Sequence, residues 1–180
     1  MRKTKVIAIN SVSGGGKTTV TKELYKKVPK SAAIYFDDGN YDVKSEIMDI
    51  EEWVSRGSNA NEFDLSELEK KINFELEKGY DYLFLDYPFD YRHDLIKKYI
   101  DTAIYIDTPS DLSIERKIQR DNPNEEISLS TLLDTILKNN FLYEEARRLG
   151  IDGADLIVDG NQTVDAIVKT IIENEINLLV

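Results

Sequence analysis

Cysteine is absent from the 180-residue chain, and histidine occurs only once. Disulfides, thiolate metal sites and histidine-cluster metal sites are therefore excluded. Long apolar runs are also missing, since no stretch approaches the length of a membrane span and the run near Met1 is too short for a signal peptide. These absences predict a soluble, cytoplasmic protein with no membrane partner.

Basic residues are scarce, with 23 Lys and Arg against 34 Asp and Glu, so the net charge is −11. A chain this acidic repels polyanions, so nucleic acids and anionic membranes are not expected partners. The length suits one domain with a substantial core, and no repeat or linker interrupts it. We therefore expect a single domain over residues 1–180. The composition leaves the oligomeric state open, a homodimer included.

Short apolar runs alternate with longer helical patterns along the chain. Near-continuous apolar strands are typical of a parallel sheet covered on both faces. Gly79 and Gly150 stand where helices usually end. The predicted strands are Lys5–Ile9, Ala33–Phe36, Tyr82–Asp86, Ala103–Asp107 and Leu156–Val158. The predicted helices are Lys17–Lys27, Glu46–Arg56, Ser66–Lys78, Asp94–Tyr99, Ser110–Arg120, Ser128–Leu149 and Val164–Leu179.

A glycine-rich loop follows the first predicted strand and leads into the first helix. Its sequence fits the phosphate-loop pattern G-x-x-x-x-G-K-[ST] at Gly16, Lys17 and Thr18, with Ser11 in place of the first glycine. Such a loop curls its N–H groups around phosphate oxygens, and the helix N-terminus adds positive partial charge. Lysine reaches the β- and γ-phosphates, and the threonine hydroxyl binds Mg²⁺. The predicted ATP contacts are Ser13, Gly14, Gly15, Gly16, Lys17, Thr18 and Thr19.

Two other interpretations of this loop are a chance glycine-rich turn and a dinucleotide-binding loop. The strand before it and the helix after it are the context that the phosphate loop requires, which disfavours chance. Asp37 ends the next strand at roughly the dinucleotide spacing. However, G-x-G-x-x-G from Gly14 requires a third glycine where this chain has Thr19, and Lys17 has no role in that fingerprint.

Aspartates end the other four predicted strands, at the edge where ligands bind in open parallel sheets. Asp86 ends an apolar strand, where a Walker-B-type acid would hold the Mg²⁺ shell. The Asp37–Asp38 pair ends the second strand, and two adjacent carboxylates could divide the work of general base and magnesium-bound water. The alternative is a turn built by Asp-Asp-Gly-Asn. Asp107 and Asp159 are interpreted instead as caps of the helices that follow them.

Arginines on the fifth predicted helix are candidates for charge stabilisation. Arg116 and Arg120 are four residues apart and share a face, from which they could contact the migrating phosphoryl group. The alternative is a solvated face paired with acids. We expect residues 112–128 to form a lid over the phosphates. Arg147 and Arg148 are expected to make surface ion pairs with the two preceding glutamates.

The segment 39–64 interrupts the alternation of strands and helices and is expected to form a helical insert over the substrate side. Tyr41 and Trp53 lie in it and would suit a platform for a flat base, although packing is the commoner role of such rings. His93 follows the Asp86 strand, which suggests a substrate-facing position; a surface or capping role is the alternative. All three are candidate substrate contacts.

In these features the chain resembles the uridine kinase and nicotinamide riboside kinase branch of the P-loop kinases. The resemblance rests on Ile9–Thr19, Tyr35–Asp38, Tyr82–Phe89 and Glu115–Asp121, in the same order. It implies a three-layer α/β/α sandwich with a five-stranded parallel sheet of order 2-3-1-4-5 and a helical lid. It further implies that Asp37 is the catalytic base and that the acid at position 86 assists magnesium.

The expected activity is transfer of the γ-phosphate of ATP to a hydroxyl of a nucleoside or similar riboside, with Mg²⁺ as cofactor. One alternative is a kinase for another small metabolite. A second is a nucleotide-binding regulatory module with no acceptor. A GTPase switch is disfavoured because the chain lacks an N-K-x-D guanine-reading motif. The motif does not rank ATP against GTP.

Overall fold

The computed structural model describes residues 4–38, 49–123 and 128–176. Its centre is a five-stranded sheet in which every neighbouring pair is parallel, in the order β2-β3-β1-β4-β5. This order confirms the predicted α/β class and topology. The strands are β1 Lys5–Asn10, β2 Ser31–Tyr35, β3 Tyr82–Asp86, β4 Thr102–Asp107 and β5 Leu156–Asp159.

Helices cover both faces of the sheet, which is why the central strands β1, β3 and β4 are almost entirely buried, whereas Ile157 of the edge strand β5 is exposed. One core cluster lies between the sheet and helices α1 and α7, and the other lies beneath α2, α3 and α4. Short 3₁₀ turns span Phe36–Asp38 and Ala60–Glu62. The helices are α1 Lys17–Lys27, α2 Ile50–Ser55, α3 Ser66–Leu76, α4 Asp94–Lys97, α5 Ser110–Asp121, α6 Leu129–Asp152 and α7 Val164–Glu175.

The strand register places the predicted functional residues along one edge of the sheet. In β3, Asp86 is level with Ile9 of β1 and with Tyr35 of β2. The phosphate loop after β1 and the aspartates after β2 therefore both begin beside Asp86, because the carboxyl ends of parallel strands meet at one edge.

Three helix boundaries differ from the prediction by three residues or more. The helix predicted from residue 46 begins at Ile50, after its N-cap Asp49, and the last helix ends at Glu175 rather than at position 179.

The third difference is at the end of α6. Gly150 does not end α6, which continues to Asp152 and is closed by Gly153. A Cβ at Gly150 would lie 2.1 Å from the ring of Tyr105, so this glycine permits close packing of the helix on β4. The predicted helix end at Gly79 agrees better with the structure: α3 ends at Leu76, and Gly79, with a left-handed φ of 73°, completes the turn that follows.

Within the described ranges, none of the helices combines the length and the apolarity that crossing a bilayer requires. The predicted single domain and the 39–64 insert remain predictions. Residues 39–48 of that insert, Tyr41 among them, lie outside the described residues. Its remainder holds α2, which begins after Asp49, whose carboxylate accepts hydrogen bonds from the N–H groups of Glu51 and Glu52.

Candidate functional site

The phosphate loop depends on glycines at two points of its backbone. Gly14 and Gly16 have positive φ angles of 80° and 104°, which other L-residues rarely adopt. A Cβ on Gly14 would lie 2.1 Å from the carbonyl oxygen of Ser113, so the loop lies directly against α5. Gly16 is the N-cap of α1. The first N–H groups of a helix lack partners within the helix, so a helix start at this loop is suited to binding an anion.

Ser11 occupies the first glycine position without disturbing this geometry. It is buried, and its hydroxyl donates to the carbonyl of Val12 at 3.0 Å and accepts from the N–H of Lys17 at 3.3 Å. A Cβ on Gly15 would approach the Ser11 side chain to 2.8 Å. The serine is thus accommodated because its neighbour across the loop is a glycine.

Lys17 lies between two aspartates from different strands. Its ammonium is 3.6 Å from Oδ1 of Asp86 and 3.8 Å from Oδ2 of Asp37. The hydroxyl of Thr18 donates to Oδ2 of Asp86 at 2.5 Å. The structure therefore brings together the lysine, the threonine and one aspartate from each of β2 and β3, as the sequence predicts for a phosphoryl-transfer site.

Burial governs the chemistry of Asp86, whose side chain is only 1% exposed. Burial raises the pKa of this carboxyl above its ordinary value, and the Lys17 charge and the Thr18 hydrogen bond oppose that rise. Its Oδ1 atom makes no hydrogen bond among the described residues. A buried carboxylate oxygen with spare capacity beside a threonine hydroxyl is a donor set of hard oxygens, which fits Mg²⁺.

The two aspartates after β2 differ in their surroundings. Asp37 lines the cleft that begins at the phosphate loop, and its side chain is 72% exposed. Asp38 is also exposed but does not belong to the described lining. Of the pair, Asp37 is therefore the one placed beside Lys17.

The cleft has a volume of about 690 Å³ and is bounded by three parts of the chain. The phosphate loop forms one wall, and Arg116 and Arg120 of α5 form another. Arg120 also makes an ion pair with Asp121 at 2.9 Å, whereas Arg116 has no ion-pair partner among the described residues. Both predicted arginines thus reach the cavity in which phosphates would lie.

A third wall was missed by sequence reasoning. Gly160, Gln162 and Val164, from the turn after β5 and the start of α7, line the cleft. The available signal was the polar Gly-Asn-Gln turn at the carboxyl end of a strand. Thr108 was also missed: its hydroxyl donates to the carbonyl of Gly15 at 2.8 Å, and a Cβ on Gly160 would meet that hydroxyl. This threonine ties the phosphate loop to the third wall.

Two predicted substrate contacts are not brought to the cleft. Trp53 is buried, donates from its indole to the carbonyl of Asn59 at 3.1 Å, and packs edge-on against Phe63. His93 is also buried; its Nε2 donates to the carbonyl of Phe63 at 2.9 Å, and its Nδ1 accepts from the N–H of Leu95. Trp53 therefore has the packing role, and His93 the capping role, that were the alternatives to substrate contact.

The strand-end acids assigned to helix capping have other roles. Both oxygens of Asp107 accept from Arg147, at 2.6 and 2.8 Å, so this arginine joins α6 to β4 in addition to a longer contact with Glu144. Asp159 accepts from the N–H of Asn161 within the turn, and α7 is capped by Thr163. The capping prediction was wrong for both acids. Asp107 binds an arginine distant in the chain, and Asp159 binds an N–H group within its own turn.

Comparison with known proteins agrees with this geometry. The family model "Phosphoribulokinase / Uridine kinase family" matches residues 75–166, just over half of the chain. A uridine kinase of Clostridium botulinum (strain Kyoto / Type A2) is 25% identical over 145 residues, covering 67% of this chain and 70% of the relative. A uridine kinase of Staphylococcus aureus (strain JH9) is 26% identical over 162 residues, covering 76% and 78%.

Solved kinase structures share the fold. Shikimate kinase from Aquifex aeolicus superimposes with a TM-score of 0.51 at 21% identity, covering 93% of this chain and 94% of that one. A gluconokinase from Sinorhizobium meliloti gives a TM-score of 0.52 at 18% identity, covering 94% and 90%. With the phosphate loop, the strand order and the family match taken together, this chain belongs to the phosphoribulokinase/uridine kinase family.

Proposed function

We propose that this small-molecule kinase transfers the γ-phosphate of ATP to a hydroxyl group of a nucleoside or similar riboside. The observation that carries the proposal is the exposed Asp37 carboxylate, 3.8 Å from the Lys17 ammonium at the mouth of the cleft. An acceptor hydroxyl that binds next to this solvent-facing carboxylate would also lie next to Lys17, and so next to the γ-phosphate that it attacks.

The loop would bind the phosphates through backbone N–H groups and Lys17. This lysine is 15% exposed, so its charge acts in a partly desolvated environment where it stabilises anionic oxygens more strongly than in water. Asp37 and Asp86 balance its charge. Bound phosphates would take over that role and release Asp37 towards the acceptor.

Thr18 and Asp86 are the residues that would hold Mg²⁺, which would neutralise the negative charge that develops on the phosphates. Asp86 contributes through its position: it is anchored by the Thr18 hydroxyl, and its buried Oδ1 accepts no hydrogen bond among the described residues. Asp38, the other predicted metal ligand, has no described contact with Thr18 or Asp86, so it is a weaker candidate for binding Mg²⁺.

Asp37 would act as general base. The Asp37 carboxylate accepts the proton of the acceptor hydroxyl. At the same time the hydroxyl oxygen of the acceptor bonds to the γ-phosphorus, and the bond from that phosphorus to the ADP oxygen breaks. Asp38 is the second candidate for this role, since it follows in the same 3₁₀ turn.

Arg116 and Arg120 would stabilise charge on the transferred group from the opposite wall of the cleft. Closure of the predicted lid, residues 112–128, would bring both guanidinium groups nearer the phosphates and exclude water. Residues 124–127 of this lid lie outside the described residues.

A kinase for another small hydroxylated metabolite is the second candidate. One observation favours it: the described lining of the cleft contains no aromatic ring on which a nucleobase could stack. Tyr41 could still supply one, but it lies outside the described residues.

An acceptor screen tests the proposal and separates the candidates. The purified chain, ATP and Mg²⁺ would be incubated with nucleosides, other ribosides and hydroxy acids, and ADP formation would be measured. We expect turnover only with an added riboside. Turnover only with a hydroxy acid would favour the second candidate, and ATP binding without turnover on any acceptor would contradict a kinase.

A further inference from the structure

An apolar ridge runs along the outside of α6. It consists of Leu129, Leu133, Leu137 and Phe141, which we call the α6 ridge; their exposed fractions are 71%, 50%, 78% and 66%. Residues four apart lie on one face of a helix, so these side chains form a continuous row about 18 Å long. Exposed apolar rows of this length mark contact surfaces.

The ridge is not the face that attaches α6 to the protein. Leu142 packs against the core cluster on the other side of the helix, and Gly150 lies against the ring of Tyr105. The helix is thus anchored by one apolar face and presents a second. In the described part of the chain, nothing buries this second face.

The four-residue spacing of the ridge is the same in either direction along the helix. If two copies of α6 pair antiparallel, Leu133 of one lies opposite Leu137 of the other, and Leu129 lies opposite Phe141. Every large side chain then meets another large apolar side chain. A surface that complements itself in this way is what a two-fold dimer requires.

Charges beside the ridge complement each other under the same pairing. Asp134 and Lys138 are exposed on one flank of the ridge, and neither has an ion-pair partner among the described residues. In the antiparallel arrangement Asp134 lies within two residues, about 3 Å along the axis, of Lys138 in the second copy. The symmetry makes this pair twice. An anionic membrane fits less well, because the net charge of the chain is −11.

We propose that the protein forms a two-fold symmetric homodimer through the α6 ridge, with the two α6 helices antiparallel. Leu133 and Leu137 form its centre, and two Asp134–Lys138 ion pairs flank it. The inference is independent of the acceptor, since the ridge residues do not line the nucleotide cleft.

Sedimentation of the whole chain gives the first test. We expect a species of twice the 20.6 kDa chain mass. Leu137→Glu should raise the dimer dissociation constant at least about tenfold, as loss of a central apolar contact does. Phe74→Glu is the matched control, because Phe74 is 55% exposed but lies on α3. A wild-type monomer at all concentrations, or a Leu137→Glu dimer of unchanged affinity, overturns the proposal.

Charge exchange tests the flanking pairs. Asp134→Lys should weaken the dimer by placing lysines opposite each other, and adding Lys138→Asp to the same chain should restore it. A double variant no stronger than Asp134→Lys alone would contradict the reciprocal pairing.

The absence of cysteine allows a direct test of direction. Under mild oxidation, a mixture of Leu133→Cys and Leu137→Cys chains should form the mixed disulfide in preference to either homodimeric one. Preferential Leu133–Leu133 and Leu137–Leu137 cross-links would show a parallel arrangement and overturn the model.

Discussion

Asp37 lies in the turn after β2 and Asp86 ends the neighbouring β3; both lie within 4 Å of the Lys17 ammonium, yet their exposed fractions are 72% and 1%. Similar distances from one lysine therefore accompany very different access to solvent. The exposed Asp37 carboxylate is accessible to an incoming hydroxyl. The enclosed Asp86 carboxylate is fixed by the Thr18 hydroxyl. From this contrast we propose proton transfer for the exposed Asp37 and metal support for the buried Asp86.

Removing the lysine that the two carboxylates share should have the largest effect. Lys17→Ala deletes the charge that stabilises the transferred phosphoryl group, so essentially all turnover should disappear and ATP binding should weaken. Steady-state ADP formation and calorimetric ATP titration measure the two effects. A variant with an intact circular dichroism spectrum and wild-type turnover would remove Lys17 from the mechanism.

The mouth of the cleft is tested next. Asp37→Asn keeps the size of the side chain but cannot accept the proton, so kcat should fall by about two to four powers of ten with little change in ATP affinity. Asp38→Asn is the matched control one residue along the same turn and should cost less. The reverse order would make Asp38 the base, and no effect of either would exclude a carboxylate base from this turn.

The buried aspartate should respond through magnesium. Asp86→Asn retains an acceptor for the Thr18 hydroxyl but loses the negative charge, so the Mg²⁺ concentration for half-maximal activity should rise about 10- to 100-fold. Asp107→Asn is the control: it changes a strand-end acid that pairs with Arg147 rather than with Thr18 or Lys17, and it should leave that concentration unchanged. An unchanged magnesium requirement in Asp86→Asn would contradict a role of Asp86 in metal support.

A second buried aspartate predicts a smaller, pH-dependent effect on stability. Burial raises the pKa of Asp90 to about 6, although Asn10 donates a hydrogen bond to it at 2.7 Å and Arg92 lies 4.0 Å away. Because the folded state then binds the proton more tightly than the unfolded state, stability from this group is present below about pH 4 and is lost as pH rises through 6. The change amounts to about 2–3 kcal/mol.

Urea unfolding at several pH values checks this expectation against Asp90→Asn, which has no proton to lose. Relative to the variant, wild type should lose unfolding free energy as the pH rises from about 4 to about 7. A difference independent of pH would mean that Asp90 titrates as an ordinary exposed carboxyl.

Sequence patterns were sufficient for the elements with strong local signals. The apolar strands, the glycine-rich loop and the helix starting at Lys17 lie where they were predicted, since each depends on residues next to one another. Gly150 was misassigned as a helix end because its requirement for a small side chain comes from Tyr105, 45 positions away in the chain. Gln162 was missed because a polar turn has no local feature that identifies it as a cleft wall.

The sequence by itself determined the phosphate loop, the parallel sheet and the candidates for lysine, base and metal support, because backbone conformation and apolar periodicity are local properties. Only the tertiary structure decided which candidates meet. It placed Asp37 beside Lys17, buried Asp86, and directed Trp53 and His93 into the interior. Whether a side chain faces a cleft or a core depends on how helices pack on the sheet. That packing is set by contacts between residues distant in the chain.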